Sequence, residues 1–131
     1  MSLGVSNNNP LNIRYSKSNK WIGQVGSNKG FCVFSSMDFG LRAGFFLLRN
    51  YIRKGFNTPS LIINRFAPCN ENDTLSYISY VSKGWNGDKN HIISTREDLA
   101  LLVSRMSYFE SNYKISVARI LELFNKFNFK F

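Results

Sequence analysis

The chain has 131 residues, with 17 Lys+Arg against 8 Asp+Glu and a formal net charge of +9 at neutral pH. Its length suits one compact domain, and 44% hydrophobic with 15% aromatic residues supply a core and exclude a disordered chain. No apolar run is long enough to cross a bilayer, and the N-terminus lacks the basic stretch and apolar segment of a signal peptide.

Residues 1–8 are expected to be disordered or tag-derived, with a single domain over 9–131. The first third is rich in turns: Asn7-Asn-Asn-Pro10, Ser16 to Lys20, and Gly26-Ser-Asn-Lys-Gly30. The short apolar pieces between them, Leu11-Asn-Ile13 and Phe31 to Phe34, suit a small β-hairpin or a cleft-lining segment. Ser35 or Ser36 then caps a helix to about Lys54, with Gly55 as its stop. Asn57-Thr58-Pro59 opens a second helix with proline in its first turn, ending before Pro68. Asp73-Thr74 opens a third, through Tyr77, Tyr80 and Val81 to about Gly84. Ser94-Thr-Arg-Glu97 is a capping-box pattern for a long fourth helix, and a fifth runs from about Ser116 to Lys126. The fold class expected is mainly α (α+β), a helical domain with a small N-terminal hairpin.

Two cysteines and one histidine restrict the chemistry. A structural zinc site needs four Cys or His ligands in paired spacings, so no metal is expected, and no cofactor motif is present. Cys32 reads as a small core hydrophobe, Cys69 as a loop residue, and His91 as a solvated turn residue. The net charge points to an anionic polymer or surface as partner. The basic residues are scattered and no nucleic-acid-reading motif occurs, so no specific nucleic acid is expected.

Any acid–base chemistry therefore falls to the carboxylates. Asp38, Glu97 and Asp98 fit first turns of helices, where the macrodipole favours an anion. Asp73 fits an N-cap, Asp88 a turn, and Glu122 the solvent face of the last helix. Glu71 sits in a polar loop without an evident structural duty. Glu110 is different. Leu99, Leu102, Val103, Met106 and Tyr113 form an apolar stripe, and at roughly 100° per residue Glu110 falls about 20° from Leu99, inside it. Loss of hydration there raises a carboxyl pKa and keeps the group protonated as a general acid. The alternatives are a helix that frays before Glu110, or an arginine that pairs with it.

Asn9-Pro-Leu-Asn-Ile-Arg14, Trp21-Ile-Gly23, Phe31-Cys-Val-Phe34 and Gly40-Leu-Arg-Ala43 with Leu47-Leu48 and Tyr51 form an ordered set. This set, continued by Asn64-Arg-Phe-Ala-Pro68 and Glu71-Asn-Asp-Thr74 with Tyr77, resembles phage and prophage proteins called virion or structural proteins. The first stretch also resembles the hairpin-and-helix segment of lysozyme-superfamily glucosaminidases and lytic transglycosylases. In those enzymes the catalytic glutamate lies upstream, often as Glu-Ser, whereas only eight residues precede Asn9 here and none is acidic. Met106-Ser-Tyr-Phe-Glu110-Ser-Asn-Tyr113 is similar to their catalytic helix, so the resemblance implies a lysozyme-like domain that is circularly permuted. A further departure is Leu11, where the virion proteins carry glycine.

The resemblance implies a peptidoglycan-cleaving glycosidase or lytic transglycosylase with Glu110 as general acid and base. Glu71 is the candidate for a second carboxylate. Asn12 and Arg14 are expected to line the cleft, Ser111 to position the glutamate or substrate, and Tyr77 and Tyr80 to stack on sugars or to form the apolar face of their helix. The partners implied are bacterial peptidoglycan and other virion proteins. The places implied are a phage virion, or the bacterial cytoplasm before release, with action at the cell wall. The competing reading is a non-catalytic virion or wall-binding protein on the same fold, for which Glu110 is paired or exposed and no cleft adjoins it.

Overall fold

A computed structural model describes residues 1–68 and 71–131, with the backbone alone at 71 and 72. Among the described residues there are six α-helices and one two-stranded antiparallel sheet: α1 (Leu3–Ser6), β1 (Gln24–Asn28), β2 (Phe31–Phe34), α2 (Met37–Arg53), α3 (Pro59–Phe66), α4 (Glu71–Ser82), α5 (Arg96–Ser111) and α6 (Val117–Lys126). A 3₁₀ turn, Lys83–Trp85, extends α4. The mainly helical fold with an N-terminal hairpin matches the class read from the sequence.

Helix starts follow their capping chemistry. Ser36, Thr58 and Ser116 accept backbone N–H bonds at the N-termini of α2, α3 and α6, and Pro59 occupies the first turn of α3. At α5 the cap is Thr95, which accepts from Asp98 N, and the Asp98 carboxylate in turn accepts from Ser94 N. The reciprocal pair expected from Ser94 and Glu97 is thus shifted by one residue. α4 begins before Asp73, which is a helical residue and not an N-cap.

Residues 1–8 depart from expectation. They are folded: Leu3–Ser6 form α1, and the segment is hydrogen-bonded to β2 and to the end of α5. Ser2 caps α1 and donates its hydroxyl to Ser111 O at 2.8 Å, Phe34 N donates to Asn7 O at 2.9 Å, and Asn8 Nδ2 donates to Phe34 O at 3.0 Å. A Cβ on Gly40 would collide with the Asn8 carbonyl, so α2 approaches this segment as closely as a glycine permits. His91 departs too: it is half-buried, stacked on Trp85 with centroids 5.1 Å apart, and 3.1 Å from Asp98. Burial pushes the Asp98 carboxyl up, but hydrogen bonds from Trp85 and Ser94 and the contact with His91 outweigh it and hold it below its ordinary value.

One core joins all the layers. Leu11 and Ile13 come from the N-terminal segment, Phe34 from β2, Leu41, Phe45 and Leu48 from α2, and Leu99 to Met106 from α5. The C-terminal tail closes it. Phe129 is buried, edge-on to Phe45 at 4.8 Å, while Phe124 meets the same ring at 4.7 Å. Arg49 donates to Lys130 O and Arg96 to Phe129 O, which fastens the tail to the body. Cys32 is fully buried as a free thiol, and burial pushes its pKa up, as a core hydrophobe requires.

The segment from Asn9 to Arg14 is pinned by one side chain. Asn9 is fully buried, donates to Ile13 O and Cys32 O at 3.0 Å each, and accepts from Ile13 N at 3.0 Å. Its backbone carbonyl also accepts from Asn12 N, closing a turn with Asn12 at φ 53°. Truncation removes three buried hydrogen bonds and leaves Ile13 N without its acceptor, while Ile13 O keeps the bond from Cys32 N. Asn9→Ala should therefore cost about 3 kcal/mol in urea unfolding, whereas exposed Asn64→Ala should cost well under about 1 kcal/mol.

Candidate active-site cleft

A cleft of about 600 Å³ lies between the N-terminal segment, α2, the α3–α4 corner and the end of α5. Its apolar wall includes Trp21, Leu47, Tyr51 and Phe66, and its polar groups include Asn12, Arg14, Asn19, Asp73 and Glu110. A mostly apolar hollow with a few convergent polar groups is the usual form of a small-molecule or polymer-unit site.

Glu110 reaches the cleft because α5 stays helical to Ser111 and then stops at Asn112, which takes a left-handed conformation at φ 54°. The helix does not fray before Glu110. Its residue is half-buried, as its position within the Leu99–Met106 stripe requires. Asn12 Nδ2 donates both to Glu110 O at 3.1 Å and to Glu110 Oε1 at 3.2 Å. The Tyr77 hydroxyl is buried beside the carboxyl but makes no hydrogen bond of good geometry.

No lysine, arginine or histidine forms an ion pair with Glu110 among the described residues. Desolvation dominates its electrostatics and raises its pKa above the ordinary value. The Asn12 amide, the Tyr77 hydroxyl and the charge of Arg14 pull the other way and are outweighed. Burial first, and then the neighbouring Glu110 carboxyl, push the Tyr77 phenol well above its usual value, so it remains a proton donor. Arg14 is exposed, with its guanidinium 5.0 Å above the Phe31 ring, which holds a full positive charge at the cleft wall.

The structure brings together Glu110, Asn12, Arg14 and Tyr77. The expectation for Ser111 is corrected: it is buried and its hydroxyl donates to Pro10 O at 2.7 Å, so it ties α5 to the N-terminal segment and stays out of the cleft. Tyr77 offers no free stacking face, since its ring lies on Phe109 with centroids 4.0 Å apart and planes 17° from parallel. Tyr80 lies outside the cleft, in a neighbouring hollow. The backbone of Glu71 opens α4, but its side chain and all of Cys69 lie outside the described residues.

Sequence reasoning missed Asp73, a second carboxylate at the cleft. Its signal was helical spacing: Asp73 and Tyr77 are four apart, on one face of α4, but reading Asp73 as a cap hid that relation. Asn9 heads the Asn9–Arg14 motif, but its buried hydrogen bonds carry no periodic signature in the sequence.

No family model matches the chain. Over 84 residues it is 38% identical to Protein P5 of Pseudoalteromonas phage PM2, a match over 60% of this chain and 52% of that protein. The chain thus spans about half the length of that curated relative. It is similar to a phage protein.

The raised Glu110 pKa fixes the sign of two measurements. In a carboxyl-carbon NMR titration, Glu110 should lose its proton above the ordinary glutamate range, and Arg14→Ala should move that midpoint further up. A midpoint at or below the ordinary value would remove the desolvation argument. Linkage gives the second sign: the folded state holds the proton more tightly, so stability falls as pH rises from the unfolded pKa through the folded one. Glu110→Gln should flatten that slope.

Proposed function

We propose that this protein cleaves the glycan strands of peptidoglycan, with Glu110 as general acid and then base. The observation that carries the reading is a desolvated carboxyl, without an ion-paired cation among the described residues, on the wall of a 600 Å³ cleft. A structural glutamate in the same place would be answered by a charge. A carboxyl that burial makes hold its proton more tightly, with nothing charged pinning it, is what glycosidic bond cleavage asks of its acid.

The arrangement also supports the permuted lysozyme-like reading. The helix bearing Glu110 and the segment leading to the hairpin are about 100 residues apart in sequence, yet four side-chain hydrogen bonds join them: Ser2–Ser111, Ser111–Pro10 and two from Asn12 to Glu110. This is the adjacency that a catalytic helix followed directly by the hairpin would have. Leu11 fits the same packing. It is fully buried, and a Cβ on Gly44 of α2 would meet it at 3.0 Å, so the larger side chain is matched by a glycine opposite.

Glu110 would protonate the leaving glycosidic oxygen. Departure leaves positive charge on the sugar, and the carboxylate that remains then takes a proton from the attacking group. That group is water in hydrolysis and the substrate's own 6-hydroxyl in transglycosylation, with the neighbouring acetamido group assisting. Asn12 Oδ1 is buried without a hydrogen-bond partner among the described residues, an acceptor suited to an acetamido N–H. Asp73, on the cleft wall, joins Glu71 as a second carboxylate to test. As an activator of water it would favour hydrolysis. The similarity to a phage protein fits action at the host wall, carried in a virion or released at lysis.

Digestion of purified peptidoglycan, with products read by mass spectrometry, tests the reading. Wild type should release reducing or 1,6-anhydro ends, and Glu110→Gln should lose at least about 100-fold in rate, the usual contribution of a general acid. Equal release by both would dismiss Glu110. No release by wild type from walls of several bacterial types would favour the non-catalytic virion or wall-binding reading.

A further inference from the structure

A second hollow, of about 370 Å³, lies between α4, α5 and the connection of residues 112–116. It is lined by Tyr80, Ser104, Arg105, Tyr108, Lys114, Ile115 and Ser116. We propose that it is a subsite for the acidic peptide branch of the same polymer whose glycan occupies the Glu110 cleft. The proposal rests on the reading of that cleft as a peptidoglycan site.

An aromatic ridge joins the two hollows. Tyr77 and Phe109 line the cleft and stack at 4.0 Å. Phe109 then meets Tyr80 at 5.8 Å, and Tyr80 meets Tyr108 at 6.2 Å. Phe109 is 40% exposed and Tyr108 37% exposed, so the ridge is an open surface and not part of the core. Rings of this kind favour the flat faces of sugars and the short apolar groups of a peptide.

The polar capacity of the second hollow is cationic. The Ser104 hydroxyl donates to Ile115 O at 2.7 Å, and Ser116 caps α6, so both hydroxyls are committed to the backbone. Arg105 lies 4.4 Å from the Tyr80 ring and donates through Nε and Nη2 to Tyr80 O at 3.1 and 2.8 Å. Those bonds fix the guanidinium and leave Nη1 uncommitted among the described residues. Lys114 is exposed, 5.8 Å from the Tyr108 ring. No carboxylate lines the hollow among the described residues. Two cations without a counter-ion among the described residues, beside rings continuous with the cleft, select a carboxylate-bearing branch over a neutral sugar.

The test compares soluble glycan strands that carry their peptide stems with the same strands stripped by an amidase. Wild type should show a several-fold lower KM on the stem-bearing strands at similar kcat. Lys114→Gln should raise that KM about threefold, the scale of one exposed charge pair, and leave the stripped strands unchanged. Lys114 is exposed and outside the core, so this variant keeps the fold. Tyr108→Ala should act in the same direction. Equal wild-type KM on both substrates, or a Lys114→Gln effect on both alike, would overturn the subsite while the cleavage reading stands. If wild type cleaves neither substrate, the cleavage reading fails, and binding of a fluorescent acidic stem peptide decides the subsite. Binding lost in Lys114→Gln would support it, and absence of binding to wild type would overturn it.

Discussion

The clasp between the first dozen residues and the end of α5 is the constraint on which the cleft depends. Ser111 is buried and gives its hydroxyl to Pro10 O, while its own carbonyl takes the Ser2 hydroxyl. Asn12 then holds the Glu110 carbonyl and carboxylate together. A helix C-terminus normally leaves its last carbonyls to solvent and frays. Here two of those carbonyls are taken by side chains from the other end of the chain, so α5 keeps its shape to the last turn. Asn9 makes the partner surface equally firm by bonding Ile13 and Cys32. Without both halves Glu110 would be a solvated residue at a mobile helix end, with an ordinary pKa and no wall facing it.

Contacts of the same kind occupy part of the positive charge. Arg42 and Arg49 lie 4.2 and 4.5 Å from the Phe46 ring, and Arg96 lies 5.3 Å from Phe124. Arg49 and Arg96 also bind carbonyls of the C-terminal tail. Partial burial lowers the pKa of Arg42, and lowers that of Arg49 together with repulsion from Arg53 and Arg42. These arginines act as covers for aromatic rings and clamps on the tail. An excess of positive charge counted along the sequence therefore overstates what is available to a partner. Arg14 at the cleft and Lys114 at the second hollow matter more, since each stands beside a surface a ligand can reach.

Helices were legible because capping and periodicity are local. Ser36, Thr58, Pro59 and Ser116 each act within three residues of themselves, and the stripe on α5 located Glu110 on its buried face before any neighbour was known. Long-range hydrogen bonds were not legible. Ser111 follows the glutamate directly, which invited a role in the site, but its hydroxyl is decided by Pro10, 101 residues away in sequence. Tyr77 and Tyr80 share a helix and a side-chain type; Phe109 then covers one ring, while Tyr108 and Arg105 frame the other. Trp85 and His91 likewise meet only because the 3₁₀ turn delivers the indole to Asp98.

The neighbours of Glu110 distinguish a working carboxyl from a structural one. Stability alone would be served by a cation in contact, because a buried charge left unmet costs several kcal/mol, on the order of 3–5 when a partner is removed. The chain had the means, with 17 basic residues to draw on. Instead the contacts are an amide and a phenol, while Arg14 acts from a distance as the weakest of the opposing influences. Each neighbour tolerates both protonation states. The amide can donate to the carboxylate, and the phenol remains protonated because burial holds its own pKa high. A group surrounded in this way exchanges a proton without leaving a stranded charge beside it, which a tight ion pair would prevent.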